Sequence, residues 1–355
     1  MISTHKFIDR IEVNPADWDS LVDKSDEAWL WHRFHAQDVK ATRAGRRDLS
    51  FALIDQNRLV AVVPVIIISG RWMKIASWSI LEAENPVMQN DFPDGQKRGF
   101  LALINEHLVD LSREFRCISI EMSLAGLAPA FRGGKTPRVN PLILSGYENK
   151  LSQTWMIDLR IGEGPLWEKM EKRARNAIRS AEKQGVKIRV AAGNADLEKY
   201  YLLHVETYKR TGVGKPHPQA YFENIWEFFL KKGLSQVFFA EINGEVIAAE
   251  NFSIYKSAAK YYTGASNELG LNLNANSAIQ WQAIQWMLAN GIEWYETGEA
   301  FPNRGGKRGR LSKFKQSFGG DLFPLYRGRR IIRRSPAVLL DFVTAWRDDR
   351  PIWIT

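Results

Sequence analysis

The chain is poor in the residues that build several common kinds of site. One cysteine, Cys117, stands in 355 residues. A disulfide framework and a cysteine-rich metal centre are thereby excluded. Cys117 lies in the apolar run FRCISIEM, where a buried, inert thiol is expected. Six histidines are scattered, with no HExxH pattern, and no metal site is expected. No serine or cysteine sits in a nucleophile elbow. The longest apolar run, LVAVVPVIII (59–68), is too short to span a bilayer and carries a proline. MISTHKFIDRIEV at the start has no apolar signal core, so a cytoplasmic chain is expected. Acidic charge is in deficit: 49 Lys and Arg face 40 Asp and Glu, a net charge of +9. That excess favours an anionic partner such as nucleic acid, anionic lipid or a phosphorylated metabolite.

What is abundant is ordinary for folded chains: 45% hydrophobic and 25% charged residues. At this length two domains are the natural reading. Thirteen tryptophans are many. Trp29, Trp31, Trp281 and Trp286 fall in helical patterns and read as core.

Two stretches repeat one supersecondary unit. FALIDQNRLVAVVPV (51–65) and FFAEINGEVIAAENF (238–252) each read as strand, polar turn and strand, with RLVA and EVIA opening the second strand. Helical segments precede each hairpin. After each come a further strand, a helix (near 96–115 and 275–291) and a last strand (117–123 and 292–298). The order helix–β–β–β–helix–β predicts an α/β (α+β) protein of two similar domains, each a mixed, mostly antiparallel sheet flanked by helices. We expect domains at 1–150 and 151–328, and a basic helical tail at 329–355.

GPLWEKMEKRARNAIRSAEKQGVKIRV (164–190) predicts one helix, with Pro165 at its first turn and Gly185 after its end. Trp167, Met170, Ala174, Ile178 and Ala181 share one face. Lys172, Arg175, Arg179 and Lys183 share another, which is either a solvated face or a phosphate-binding one. The helix at 275–290 predicts an N-cap at Asn276 or Ser277, whose free N–H groups suit an anion. From Arg304 to Lys315 six of twelve residues are cationic (Arg304, Lys307, Arg308, Arg310, Lys313 and Lys315) around free glycines, as in a phosphate-wrapping loop.

The order and spacing of TWMIDL (154–159), KMEKRARNAIRSAEKQGVKIR (169–189), ETYKRTG (206–212), AEINGEVIAAENFSIY (240–255), YYTGAS (261–266), NSAIQWQAIQWMLANGIEWYETG (276–298) and KFKQSFGG (313–320) resemble the FemAB-type peptidyltransferases and their acyltransferase relatives. The resemblance covers residues 150–328 well and the first 150 in outline. It implies two GNAT-like domains in tandem. It also implies transfer of an acyl or aminoacyl group from an activated ester or thioester to an amine of a cell-envelope precursor, of peptidoglycan or polysaccharide. The implied donor is charged tRNA or acyl-CoA, with no tightly bound cofactor. The implied acceptor is a phosphorylated or lipid-linked envelope precursor.

Aminolysis of an acyl carbonyl needs a donor for the oxyanion and an acceptor for the amine proton. The resemblance places Lys315 at the oxyanion, with Phe314 shaping a pocket of low dielectric. Glu296 and Glu299, at the end of IEWYETG, are candidates for base or substrate clamp. Tyr262 is a further candidate for the substrate site, and His204 one of low rank. Two departures stand out. The stretch SNELGLNLNANSAIQW (266–281) lacks the Arg/Gln-x-x-Gly-x-Gly/Ala pyrophosphate loop of ordinary GNAT enzymes, and no coiled-coil arm is inserted. RGRRIIRRSPAVLLDFVTAW (327–346) reads as a basic amphipathic helix, packed on its domain or lying on an anionic inner-membrane surface. A second reading of the whole chain is a non-catalytic twin module that grips nucleic acid or an anionic polysaccharide.

Overall fold

Two turns show how closely the hairpins match. In the computed structural model, which describes residues 5–72, 76–150, 152–212, 214–301 and 306–334, both turn residues of each hairpin have positive φ. Gln56 and Asn57 lie at 49° and 62°, Asn243 and Gly244 at 51° and 82°. This turn matches the right-handed twist of its strands. Counting outward, Asp55 faces Arg58 and Ile242 faces Glu245. Each ladder then slips by one residue at the same place. Leu53 faces Ala61 after Ile54 faces Leu59, and Ala240 faces Ala248 after Glu241 faces Val246. The match therefore runs residue by residue, and Val63 occupies the position of Glu250.

The chain forms two units: residues 1–125, 137–151 and 326–355, and residues 126–136 and 152–325. In the first unit, Lys6–Asp9, Phe51–Asp55, Arg58–Val63 and Val87–Met88 make a four-stranded antiparallel sheet. A second sheet runs in the order Arg46–Asp48, Val65–Trp72, Ala76–Glu84, Ser119–Ser123, Arg327–Ile331, Glu148–Asn149. Pro64, which has no N–H to give a ladder, separates Arg58–Val63 from Val65–Trp72. The helix Asp94–Glu114 buries Phe100, Ile104 and Leu108 in a core with Phe51, Leu53, Val63 and Ile120. Cys117 is fully buried, and burial pushes its thiol up to about 11, so it is inert.

One expectation fails here. Arg327–Ile331 is a strand of this first unit, antiparallel to Ser119–Ser123. It is neither the end of the second domain nor the start of a membrane-facing helix. Arg329 is buried, with its Nε 3.1 Å from Glu121 Oε1. The rest of the expected tail, beyond residue 334, lies outside the described residues.

The second unit holds a seven-stranded sheet: Lys187–Val190, Ser235–Ile242, Glu245–Tyr255, Ala258–Ser266, Trp294–Ala300, Ser152–Asp158, Asp321–Leu325. Only the pair Ala258–Ser266 and Trp294–Ala300 is parallel. On one face the helices Lys172–Lys183 and Ala275–Ala289 close a core of Ile178, Phe238, Phe252, Ile279, Ile284, Met287 and Tyr295. Each such side chain contributes roughly 1.5–3 kcal/mol by leaving water. On the other face Tyr200 of the helix Asn194–Thr211 packs on Phe239, Phe222 and Trp226.

The single helix expected from 164 onward is two, Glu163–Lys169 and Lys172–Lys183. Between them Met170 is extended, with ψ 144°. Arg175 stabilises the break: its Nη1 donates to the carbonyl oxygens of Trp167, Glu168 and Met170 at 3.1, 2.9 and 2.8 Å. The carbonyls at the C-terminal end of a helix have few partners within it, although that of Trp167 also accepts the Met170 N–H at 3.3 Å. Pro165 is thus the third residue of the short helix. Gly185, at φ 83°, does follow the second helix. Its N–H donates to Glu182 O and that of Val186 to Ala181 O. The helix Ala275–Ala289 is preceded by Asn274 at φ 58°, which takes the N-cap position from Asn276 and Ser277. The basic stretch expected as a loop is helical over Gly306–Gln316.

Candidate active site

The one parallel pair opens after three residues. Ala258, Ala259 and Lys260 face Trp294, Tyr295 and Glu296. Beyond them each strand follows its other neighbour. Thr263 to Ser266 stay on Asn251 to Ala248, and Gly298 to Ala300 stay on Trp155 to Gln153. Each strand has its register slip just past the last shared pair, leaving Tyr262 and Thr297 as the extra residues. A bulge bends and twists its strand. Two bulges at one level therefore part the strands.

Lys260 and Glu296 sit in register where the opening starts. Glu296 is almost fully buried. Its Oε1 accepts from Thr154 Oγ1 at 2.9 Å and pairs with Lys260 Nζ at 2.9 Å. The helix Gly306–Gln316 brings Lys315 to the same place, where Nζ donates to the carbonyl oxygen of Glu299 at 3.3 Å. Gly298 makes room for it: a Cβ there would lie 2.7 Å from Nζ, and its φ of 106° suits glycine alone. Burial pushes the Lys315 ammonium down to about 8. Glu296 and Glu299 pull it back up, and Lys260 adds to the downward push. Phe314 packs on the core edge-to-face with buried Phe318, ring centres 5.1 Å apart, and so anchors the helix that carries Lys315.

Lys315, Phe314, Glu296 and Glu299 are therefore brought together. The cationic residues are not. Lys172, Arg179 and Arg310 are exposed, Arg179 stacking on Trp167 at 5.3 Å. Arg175 is spent on helix carbonyls. Lys307 and Arg308 lie in the helix Gly306–Gln316, but their side chains, like all of Arg304, are outside the described residues. Ser277 is buried and its N–H donates to Asn274 O, so it offers no anion site. The Tyr262 hydroxyl bonds that of Tyr221. His204 is a core residue: Nε2 accepts the His217 N–H at 3.1 Å, and burial pushes its imidazole down to about 4.

Asn276 leads to a residue that sequence reasoning missed. Its Nδ2 donates at 2.8 Å to Oε1 of Glu250, whose Oε2 accepts Gln280 Nε2 at 2.6 Å. Tyr295 Oη donates in turn to Gln280 Oε1 at 2.5 Å. Glu250 is fully buried, and loss of water pushes its carboxyl up to about 8 while the two amides pull it down. Tyr295 and Glu296 are successive strand residues and point to opposite faces. The Glu250 network thus lies on the sheet face away from the Glu296 side chain. Its signal was a lone acid in the apolar strand VIAAENF. Lys260 was missed as well; nothing local tells it from a solvated strand lysine.

The family model described as acetyltransferase (GNAT) domain matches residues 168–306. No curated protein matches the chain. Among solved structures, a structure of FemX aligns with 95% of this chain and 100% of its own, at TM-score 0.69 and 13% identity. The C-terminal domain of a putative lysylphosphatidylglycerol synthetase from Agrobacterium fabrum aligns with 95% and 96%, at 0.58 and 13%. A tandem GNAT protein from the clavulanic acid biosynthesis pathway aligns with 92% and 98%, at 0.56 and 9%. The α/β architecture with mostly antiparallel sheets is thus shared with a tandem GNAT protein, and residues 168–306 match the acetyltransferase (GNAT) domain model.

Proposed function

We propose that the protein transfers an acyl or aminoacyl group from an activated ester or thioester to an amine of a cell-envelope precursor. The observation that carries this reading is the half-buried Lys315 ammonium, held on the Glu299 carbonyl at the parting of the two parallel strands. When a neutral amine attacks the acyl carbonyl, the oxygen becomes an oxyanion. An ammonium already oriented in a partly desolvated site stabilises that charge with little reorganisation. Glu299, whose carbonyl oxygen accepts the Lys315 ammonium, takes the amine proton in this reading, while Glu296 is engaged by Lys260 and Thr154. Phe314 keeps water from the reacting atoms.

The acceptor class rests on the FemAB-like motifs and on the similarity to FemX and to a putative lysylphosphatidylglycerol synthetase. The donor is charged tRNA or acyl-CoA. Calorimetric titration with CoA, acyl-CoA and charged tRNA separates the donors. With the donor that binds, Lys315→Ala should lower transfer by ~10²–10³-fold and leave donor affinity near wild type. Full activity in that variant would remove Lys315 from the reaction.

A further inference from the structure

Three charges meet where the strands part, and they are shared unequally. Glu296 projects from Trp294–Ala300 and Lys260 from Ala258–Ser266, in register with each other. Lys315 comes from the helix Gly306–Gln316. The one buried carboxylate goes to Lys260, at 2.9 Å, and the same oxygen is fixed from the far side by Thr154. Lys315 receives only a backbone carbonyl, that of Glu299. Among the described residues no carboxylate lies within ion-pair distance of Lys315. The Lys260–Glu296 pair is neutral as a unit. What remains at the edge of the opening is an ammonium without a carboxylate at ion-pair distance, on which Glu299 acts only from farther off.

We propose that Lys260 is a positioning residue of this site: by holding Glu296 it denies Lys315 a carboxylate partner and leaves that ammonium free for an incoming oxyanion. An ammonium already paired with a carboxylate has its field cancelled and its donors taken, and would have to break that pair before it could meet a carbonyl oxygen. Lys260 prevents the pairing with a strand residue that needs no contact with substrate. The three-residue parallel ladder sets the arrangement, because it is what brings position 260 beside position 296.

Among the described residues, the charged groups facing Lys315 are Glu296 and Glu299 from Trp294–Ala300 and Lys260 from Ala258–Ser266. Removing Lys260 acts twice in one direction. It removes a repelling cation, and it releases Glu296 to approach Lys315. Both effects favour the protonated lysine.

The inference rests on the reading of Lys315 as the group that meets the carbonyl, but its test is independent of transfer. The full-length chain is labelled with ¹³C at lysine Cε, the Lys315 signal is identified by its loss in Lys315→Arg, and its titration is followed by NMR. The wild-type midpoint should lie near 8. In Lys260→Met it should rise by at least one pH unit, a tenfold change in the ammonium-to-amine ratio, and Lys260→Arg should restore it. In Glu296→Gln, where Lys260 is left uncompensated, it should fall below the wild-type value. An unchanged midpoint in Lys260→Met, or a rise in Glu296→Gln, overturns the assignment. A merely structural Lys260 would alter stability without moving this midpoint. Failure of the Lys315→Ala transfer test would instead strike the functional reading and leave this titration intact.

Discussion

The two hairpins share turn, bulge and register, yet one position divides them. Val63 faces Phe51 in the first unit, and Glu250 faces Phe238 in the second. Val63 is wrapped in aliphatic and aromatic side chains. Glu250 is as deeply buried but meets Asn276 and Gln280. The next position differs too. Pro64 ends the ladder in the first unit, whereas Asn251 carries the strand on in the second. The parallel pairs diverge in the same sense. Ile80 to Glu84 face Ser119 to Ser123 over five residues without a slip, against three residues and two bulges in the second unit. One hairpin design thus ends at a proline in a four-stranded sheet in one unit and runs on into an opened seven-stranded sheet in the other. The difference begins with a few side chains and two inserted residues.

The comparison breaks most sharply if the two residues are exchanged. Val63→Glu puts a carboxyl among apolar neighbours with no amides to receive it, and should cost ~4 kcal/mol or more, read as a fall in the urea midpoint at neutral pH. A loss below 1 kcal/mol would mean that the first core already accommodates charge.

Glu250 should give the next largest effect, through pH. Its carboxyl titrates near 8 when folded and near 4.5 in the reference state. The unfolded chain therefore gives up this proton first. The stability it contributes is full below about pH 4.5, is lost as pH rises through the window, and levels off above about 8, with a slope of at most ~1.4 kcal/mol per pH unit. Glu250→Gln, which keeps the shape but cannot ionise, should flatten that slope between pH 5 and 8 in parallel urea titrations. Equal slopes in both proteins would show that Glu250 ionises near its ordinary value.

The smallest effect tests the helix break in the second unit. Arg175→Ala removes the donor from three carbonyls that water can partly reach, and should cost ~1 kcal/mol by thermal denaturation. No loss would mean that water replaces the guanidinium fully.

Much of the fold was legible locally. Turn chemistry marked both hairpins, and Gly185 marked a helix end. The KFKQSFGG segment and the IEWYETG strand led to Lys315, Phe314, Glu296 and Glu299, which do converge. What stayed hidden depends on distant partners. The helix break at Met170 comes from Arg175 reaching back to carbonyls, which an apolar stripe running through both pieces conceals. The cationic stretch before Lys315 resembled a phosphate loop because its glycines outweighed a helical pattern, but it forms a helix. Arg327–Ile331 looked like the start of a basic helix, yet pairs with a strand some two hundred residues earlier in sequence.

The sequence by itself determined where strands turn, which faces are apolar, and which residues could carry charge to a reacting carbonyl. These are matters of short spacing: periods of two and 3.6, and the residues tolerated at positive φ. Tertiary structure alone decided how the charges are shared. Glu250 is satisfied by a helix that begins twenty-five residues later, and Glu296 belongs to Lys260 rather than Lys315. The reason is that an ion pair or a buried amide bond is set by which strands and helices become neighbours in space, and one basic or acidic letter looks the same in any of those settings.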